Sequence, residues 1–269
     1  MTRIIQISDP HIVPCGQLAY GQVDTAEALS SCVQTINRSL SEVGPVDMVV
    51  VAGDLTDFGT KEEYQRFRSL MEPLDLPYRA IPGNHDVVEV MRTCFSDQTW
   101  MPREGPINWA VEFNDLTLIG LDSNVAGHPH GHLSGETLTF LTDTLDRQNG
   151  KSTIVAVHHP PVLTGIDKMD IQNLRDSKHL ETILKNYTGE IRLSCGHVHR
   201  NIVALFGGVI CHIAPGVSHA VSMDLREGAP NCLTKEPGGI LLHEVREGIL
   251  SHHVPVGHYP GPFLFYPDR

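Results

Sequence analysis

Val46–Asp54 reads VDMVVVAGD. Val46–Ala52 is a near-continuous apolar run, the pattern of a strand covered on both faces. Gly53 lets the backbone turn tightly, and Asp54 follows. Upstream, Ile4–Ile7 alternates weakly and reads as a first strand. Asp24 is placed to N-cap a helix through about Leu40, with Ala26, Leu29, Val33, Ile36 and Leu40 at helical spacing. Downstream, Thr60 and Glu63 match a capping box, followed by a helical stripe of Tyr64, Phe67, Leu70 and Met71. Tyr78–Ile81 reads as a third strand, ended by Pro82-Gly83. The first 85 residues thus run β-α-β-α-β with polar residues after each strand. That order predicts an α/β domain with its site at the carboxyl ends of its strands.

The second half has a different texture. Trp109–Phe113, Leu116–Leu121, Thr153–Val157, Ile191–Cys195, Ile202–Phe206, Val209–Ile213, Ile240–Val245 and Ile249–Val254 read as strands. Helices are expected near Ser134–Asn149 and Ser177–Tyr187, and hairpin turns at Gly207-Gly208 and Glu247-Gly248. The sum is two packed sheets flanked by helices, in a single domain over 1–269. Val162–Arg175 reads as a loop with little pattern. His219–Pro237, punctuated by Gly and Pro, reads as a projecting loop, and His258–Pro267 (HYPGPFLFYP) as an aromatic tail that packs on a surface or a second chain. The segment from about 219 to 269 is therefore expected to serve homo-oligomer contacts.

The 269 residues carry a formal net charge of −12. An acidic surface argues against a long nucleic-acid partner, whose phosphates favour Lys/Arg patches. Small phosphate substrates stay open, because bound dications reverse the local field. No apolar run approaches the roughly 18 residues needed to span a bilayer, and no signal peptide is read. The six cysteines show no CxxC and no zinc-finger spacing, and Cys195 and Cys211 fall in apolar runs as buried free thiols. A cytoplasmic location is expected.

Many of the 16 histidines gather in short motifs after strands. The motifs are Asp9-Pro10-His11, Gly53-Asp54, Gly83-Asn84-His85-Asp86, His158-His159-Pro160-Pro161 and Gly196-His197-Val198-His199. Asp9 and His11 are two apart, so on an extended chain both point to one side. A carboxylate such as Asp54 can bridge two ions, Asn84 offers a neutral oxygen, and His158, His197 and His199 add nitrogens. This donor set suits Zn, Mn, Fe or Co. Two ions roughly 3.5–4 Å apart can clamp a phosphate and lower the pKa of a water. The resulting hydroxide would attack phosphorus opposite the leaving alkoxide. Asp86 reads as a structural partner, and His128, His130 and His132 as a solvated loop.

In this order, the DxH, GD, GNHD, HHPP and GHxH motifs resemble those of the calcineurin-like metallophosphoesterase superfamily. Within it, the chain is similar to the class III cyclic-nucleotide phosphodiesterases and the bacterial glycerophosphodiesterase branch. That closer similarity includes Leu18-Ala19-Tyr20-Gly21, Glu62-Glu63-Tyr64, Pro215-Gly216 leading to His219, and His258-Tyr259-Pro260-Gly261-Pro262. The resemblance implies a four-layer αββα sandwich with two mixed sheets. It also implies two divalent or trivalent ions (Fe, Mn, Zn or Co). Asp9, His11, Asp54 and His199 would hold one, and Asp54, Asn84, His158 and His197 the other. His85, with Asp54, would serve catalysis and act on the phosphate without binding metal. Asn84, His85, Tyr20, His219 and His159 would contact substrate. The implied activity is hydrolysis of small phosphodiesters, glycerophosphodiesters first. A 2′,3′- or 3′,5′-cyclic-nucleotide phosphodiesterase is the alternative enzyme. A non-catalytic metal-binding scaffold is the alternative class, but it is expected to lack ligands or the GNHD histidine, and all are present here.

Overall fold

The computed structural model describes residues 1–266. The chain opens with β1 (Arg3–Ile7), α1 (Thr25–Val43), β2 (Met48–Ala52), α2 (Lys61–Met71), β3 (Tyr78–Ile81) and α3 (Val88–Cys94). It continues through β4 (Trp109–Glu112), β5 (Thr117–Leu121), β6 (Gly131–His132), α4 (Gly135–Gln148), β7 (Thr153–Val157), α5 (Asp167–Asp170), β8 (Leu174–Arg175) and α6 (Lys178–Asn186). It closes with β9 (Ile191–Cys195), β10 (Ile202–Phe206), β11 (Val209–Ile213), β12 (Ala220–Val221), β13 (Leu233–Thr234), β14 (Gly239–Val245) and β15 (Ile249–Pro255).

Two sheets carry the fold. One runs β15-β14-β1-β2-β3 and the other β10-β11-β9-β7-β5-β4. Strands β1, β2 and β3 are parallel, as are β5, β7, β9 and β11, while the outer strands return antiparallel, so both sheets are mixed. Leu29, Val33 and Ile36 of α1 and Tyr64 and Phe67 of α2 belong to the core of the first sheet. Leu141 and Leu145 of α4 and Leu180 and Leu184 of α6 belong to the second. Alternation along the second sheet decides the sharing: Leu118, Ile154 and Ala156 join the first core, whereas Ile119, Val155 and Val157 join the other. The first core therefore crosses the seam between the sheets, giving helix, sheet, sheet, helix.

Local chemistry explains the boundaries. The Asp24 side chain accepts from the Glu27 N–H, and α1 then runs three residues past the expected end to Val43. Thr60 and Glu63 form the reciprocal capping box of α2. Helix α3 was not expected from sequence: its N-cap is Val87, with no side-chain cap bond to announce it. Val162–Arg175, expected to lack regular structure, holds the one-turn helix α5 and the two-residue strand β8. Within His219–Pro237, β12 and β13 pair antiparallel. The tail from His258 to Tyr266 is exposed, and Pro267, its last expected residue, lies outside the described residues.

A polar cluster is buried in the seam. The Gln6 amide N–H donates to the Cys195 carbonyl (2.9 Å), while its oxygen meets the Ser194 hydroxyl and lies 3.2 Å from His243 Nε2. His243 Nδ1 is 2.7 Å from Ser251 Oγ. Burial, with repulsion from His212 and Arg192, pushes His243 down from 6.5 to about 3. The unfolded chain then takes up a proton below pH 6.5 that the folded one refuses until about pH 3. Stability therefore falls as pH drops through that window. In His243→Gln, urea unfolding across pH 7.5 to 4 is expected to lose up to about 1.4 kcal/mol per pH unit of this slope. A slope equal to that of the unaltered chain contradicts the account.

Candidate metal centre

The site begins where strand pairing outlives the strands. Beyond Ile7 and Ala52, the Asp9 N–H donates to the Gly53 carbonyl (3.2 Å), His11 N–H to Asp54 (2.9 Å) and Ile12 N–H to Leu55 (3.1 Å). This seating places Asp9 and His11 beside Asp54. The backbone is not extended as the i, i+2 reading assumed. Asp9, His11, Asp54, His197 and His199 have φ of 56°, 46°, 51°, 72° and 52°. Each left-handed residue costs on the order of 1–2 kcal/mol, and Asp and His bear it better than β-branched residues. Two glycines make room. A Cβ on Gly53 would lie 2.2 Å from His158 Nδ1, and one on Gly83 2.2 Å from Asp54 Oδ1.

All seven candidate ligands converge. His11 Nε2 is 3.1 Å from His199 Nε2 and 3.5 Å from Asp54 Oδ2, and His199 Nε2 is 3.3 Å from Asp9 Oδ1. On the other side, His158 Nε2 is 3.3 Å from the same Asp54 Oδ2 and 3.2 Å from Asn84 Oδ1. The His158 and His197 rings are 5.2 Å apart. One carboxylate oxygen thus stands between two halves, while Asp54 Oδ1 is anchored by the His85 N–H at 2.8 Å. His197 N–H donates to Asp9 Oδ1 (3.0 Å), tying the ends of β9 and β1 together.

The donor chemistry fits cations. Burial alone would raise the carboxyls of Asp9, Asp54 and Asp57, but the surrounding imidazoles outweigh it and hold all three well below the usual carboxylate range. Burial opposes charge on His158 and His85 too, yet Asp54 pulls them up to about 9 and about 10. His197, buried beside His158, falls to about 3. The carboxylates therefore demand positive charge, which His158 and His85 can carry as protons and His197 cannot. Imidazole nitrogens stand 3.1 Å apart beside buried carboxylates, and His197 Nε2 and His199 Nδ1 are buried without partners. Divalent cations meet both demands.

A cavity of about 200 Å³ opens on this cluster, lined by Tyr20, Asn84, His85 and His219 together with Asn231, Cys232 and Leu233. His219 sits 4.5 Å from the His199 ring and 5.3 Å from Tyr20, and burial with His199 repulsion lowers it to about 2, so it is neutral. His85 Nδ1 is 2.9 Å from the Asp57 carbonyl oxygen, which leaves Nε2 for the cavity. Asn84 and His85 also front a groove of about 760 Å³ that includes Asp122 and Asn124. His159 does not line the cavity. It is wholly buried behind the candidate ligand histidines, its Nδ1 2.8 Å from Ser123 Oγ, so the substrate contact expected of it is corrected. His128 is exposed and His130 half-buried, away from the cluster. Asp86 has the structural role expected of it: it accepts from Leu55 N–H, Gly83 N–H and the Tyr64 hydroxyl, locking the two loops together.

Sequence reasoning missed Asp57. Its Oδ1 lies 3.1 Å from His11 Nδ1, 3.3 Å from the Tyr20 hydroxyl and 3.4 Å from His85 Nδ1. A carboxylate behind a ligating imidazole fixes its tautomer and ring direction. The only signal was a second Asp three residues after Asp54. The hairpin residues Asn231–Leu233 were missed because their approach is set by tertiary folding.

A family model described as calcineurin-like phosphoesterase matches residues 2–201. A protein of Arcobacter nitrofigilis named "Probable glycerophosphodiester phosphodiesterase GpdQ" is 37% identical across 99% of this chain and 97% of its own length. A cAMP/cGMP dual specificity phosphodiesterase of Mycobacterium tuberculosis is 28% identical across 94% of this chain and 79% of its own. A dimetal phosphatase from Danio rerio shares the fold at TM-score 0.60 and 13% identity, covering 95% of this chain and 99% of that one.

Asp57→Asn is expected to weaken metal binding about 10- to 100-fold, measured by titrating Mn²⁺ into chelator-stripped protein. Unchanged affinity contradicts the role given to Asp57.

Proposed function

We propose, on the premise that this chain belongs to the calcineurin-like phosphoesterase family, that it is a metal-dependent phosphodiesterase acting on small phosphodiesters, glycerophosphodiesters first. The observation that carries this is Asp54 Oδ2, within 3.5 Å of His11 Nε2 and 3.3 Å of His158 Nε2, between two clusters of buried donors. In this reading Asp9, His11, Asp54 and His199 hold one ion, and Asp54, Asn84, His158 and His197 the other. The ions are Fe, Mn, Zn or Co, which such N/O sets accept. When bound, they supply Lewis acidity toward phosphate oxygens and lower the pKa of water.

The protein's own groups do the rest. His85, held by its bond to the Asp57 carbonyl, presents its free edge to the phosphate, stabilises developing charge and delivers a proton to the leaving alkoxide. Tyr20, Asn84 and His219 line the cavity on one side of the reacting centre. The groove beyond Asn84 and His85 gives a second ester arm its own space, a feature a diester uses and a monoester does not.

Cyclic nucleotides are the second reading, favoured by the similarity to the mycobacterial phosphodiesterase. For assembly and location, we propose homo-oligomers built through the tail, where Phe263, Leu264 and Phe265 are 78%, 75% and 96% exposed. We propose a reducing cytoplasm, since all six cysteines are free. Among the described residues, no helix is long and apolar enough to cross a membrane.

Three outcomes are expected. By kcat/KM, glycerophosphoethanolamine exceeds both cyclic AMP isomers; a clear preference for a cyclic nucleotide overturns the substrate assignment. His85→Ala keeps its metal content and loses about 10²- to 10⁴-fold in kcat, and loss of metal in that variant contradicts the role given to His85. Sedimentation at micromolar concentration gives a multiple of 29.6 kDa, and a monomer rejects the tail interface.

A further inference from the structure

Gly83–Asp86 is a turn: the Asp86 N–H donates to the Gly83 carbonyl at 3.3 Å, with Asn84 and His85 at the two central positions. The turn is a ridge between two voids. Asn84 and His85 are half-buried, and they line both the cavity of about 200 Å³ and the groove of about 760 Å³. Packing against the ridge is therefore thin, and polar ties must hold it. Asp86 supplies one from within, its carboxylate accepting the Gly83 N–H at 2.9 Å.

A second tie comes from the other sheet. Asn124 lies in the loop after β5 and lines the groove. Its amide nitrogen is 2.6 Å from the Gly83 carbonyl oxygen and 3.0 Å from that of Asp86. Both partners only accept, so the NH₂ must face them, and each of its two N–H groups has an acceptor. The amide thus grips both ends of the turn and brackets Asn84 and His85. Asn124 is itself held. Its backbone N–H donates to Asp122 Oδ1 at 2.8 Å, and Asp122 Oδ2 accepts from the Ile107 N–H at 2.9 Å. The Asp122 N–H in turn donates to Asn108 Oδ1 at 2.8 Å. Asp122 is buried, which strengthens these bonds.

We infer that Asn124 is a positioning residue: it braces the turn that carries Asn84 and His85 against the second sheet. Asn84 comes from the first sheet and His158 from the second, and Asn84 Oδ1 lies 3.2 Å from His158 Nε2. An ion shared by the two needs that spacing kept, and the brace keeps it. The same grip fixes where His85 meets the phosphate. The inference rests on the proposed reading that Asn84 binds an ion and His85 acts on the substrate.

Co²⁺ titrated by calorimetry into the chelator-stripped full chain tests it, followed by kcat on bis(p-nitrophenyl) phosphate at saturating Co²⁺. The unaltered chain is expected to bind two ions. Asn124→Leu, close in size but without N–H groups, should bind one ion at unaltered affinity and the other about 10- to 100-fold more weakly. Its kcat at saturating metal should fall about 10-fold or more. In a His85→Ala background most of that fall in kcat should vanish, because the residue through which Asn124 acts is gone. Unaltered binding and turnover in Asn124→Leu, equal weakening of both ions, or a fall in kcat of equal size in both backgrounds overturns the inference. If Asn124→Leu does not fold, Asn124→Ala decides: the same single ion weakens several-fold, and unaltered binding overturns the inference. An unaltered chain that takes up no Co²⁺ overturns the proposed function and the inference with it, whereas the other failures overturn the inference alone.

Discussion

Parallel pairing that persists beyond the strands is the constraint on which the site depends. The bonds from Asp9, His11 and Ile12 to Gly53, Asp54 and Leu55 continue the β1–β2 register into the loops. They hold side by side residues whose backbone is left-handed. Released from that pairing, each would relax to the right-handed or extended regions and the donors would part. The strain is sustained because the β-strands below are buried on both faces and locked between two helical layers. Glycine at 53 and 83 lets the loops approach closely enough for Asp54 to reach both halves.

Electrostatics gives the same arrangement its purpose. Asp9 and Asp54 are buried among imidazoles that are themselves buried, and no Lys or Arg makes a salt bridge to either carboxylate among the described residues. Leaving such charge uncompensated costs several kcal/mol. Cations resolve the conflict, using the carboxylate charge and the imidazole lone pairs together. Around this centre the carboxylate of Asp57, the carbonyl of Asp57 and the hydroxyl of Ser123 engage nitrogens that face away from the cluster. The directions of the His11, His85 and His159 rings are thus set by the protein.

Much of this was legible in the residues. The run at Met48–Ala52, the stripe of α1 and the capping box of α2 specify their elements because period and cap chemistry are local. The positions of the candidate ligands were legible because they follow strands. The reason offered for Asp9 and His11 was not: alternation on an extended chain predicted the right juxtaposition from the wrong backbone, since φ is not encoded by spacing. Helix α3 escaped because its first turn has no polar cap. The burial of His159 behind His158 and the arrival of Asn231–Leu233 over the cavity escaped because both depend on contacts between segments far apart in sequence. Asp57 lay in plain view, but nothing short of the tertiary fold says that an Asp three residues after a ligand faces a histidine.

The central claim is that a bridged pair of ions on Asp54 makes this chain a phosphodiesterase. It is tested most directly by following bis(p-nitrophenyl) phosphate hydrolysis as Mn²⁺, Co²⁺ or Zn²⁺ is returned to chelator-stripped protein, with bound metal counted per chain. The account predicts no turnover without metal and turnover that rises as occupancy approaches about two ions per chain. Turnover in the stripped protein, or none in protein shown to be fully loaded with each metal, would contradict it.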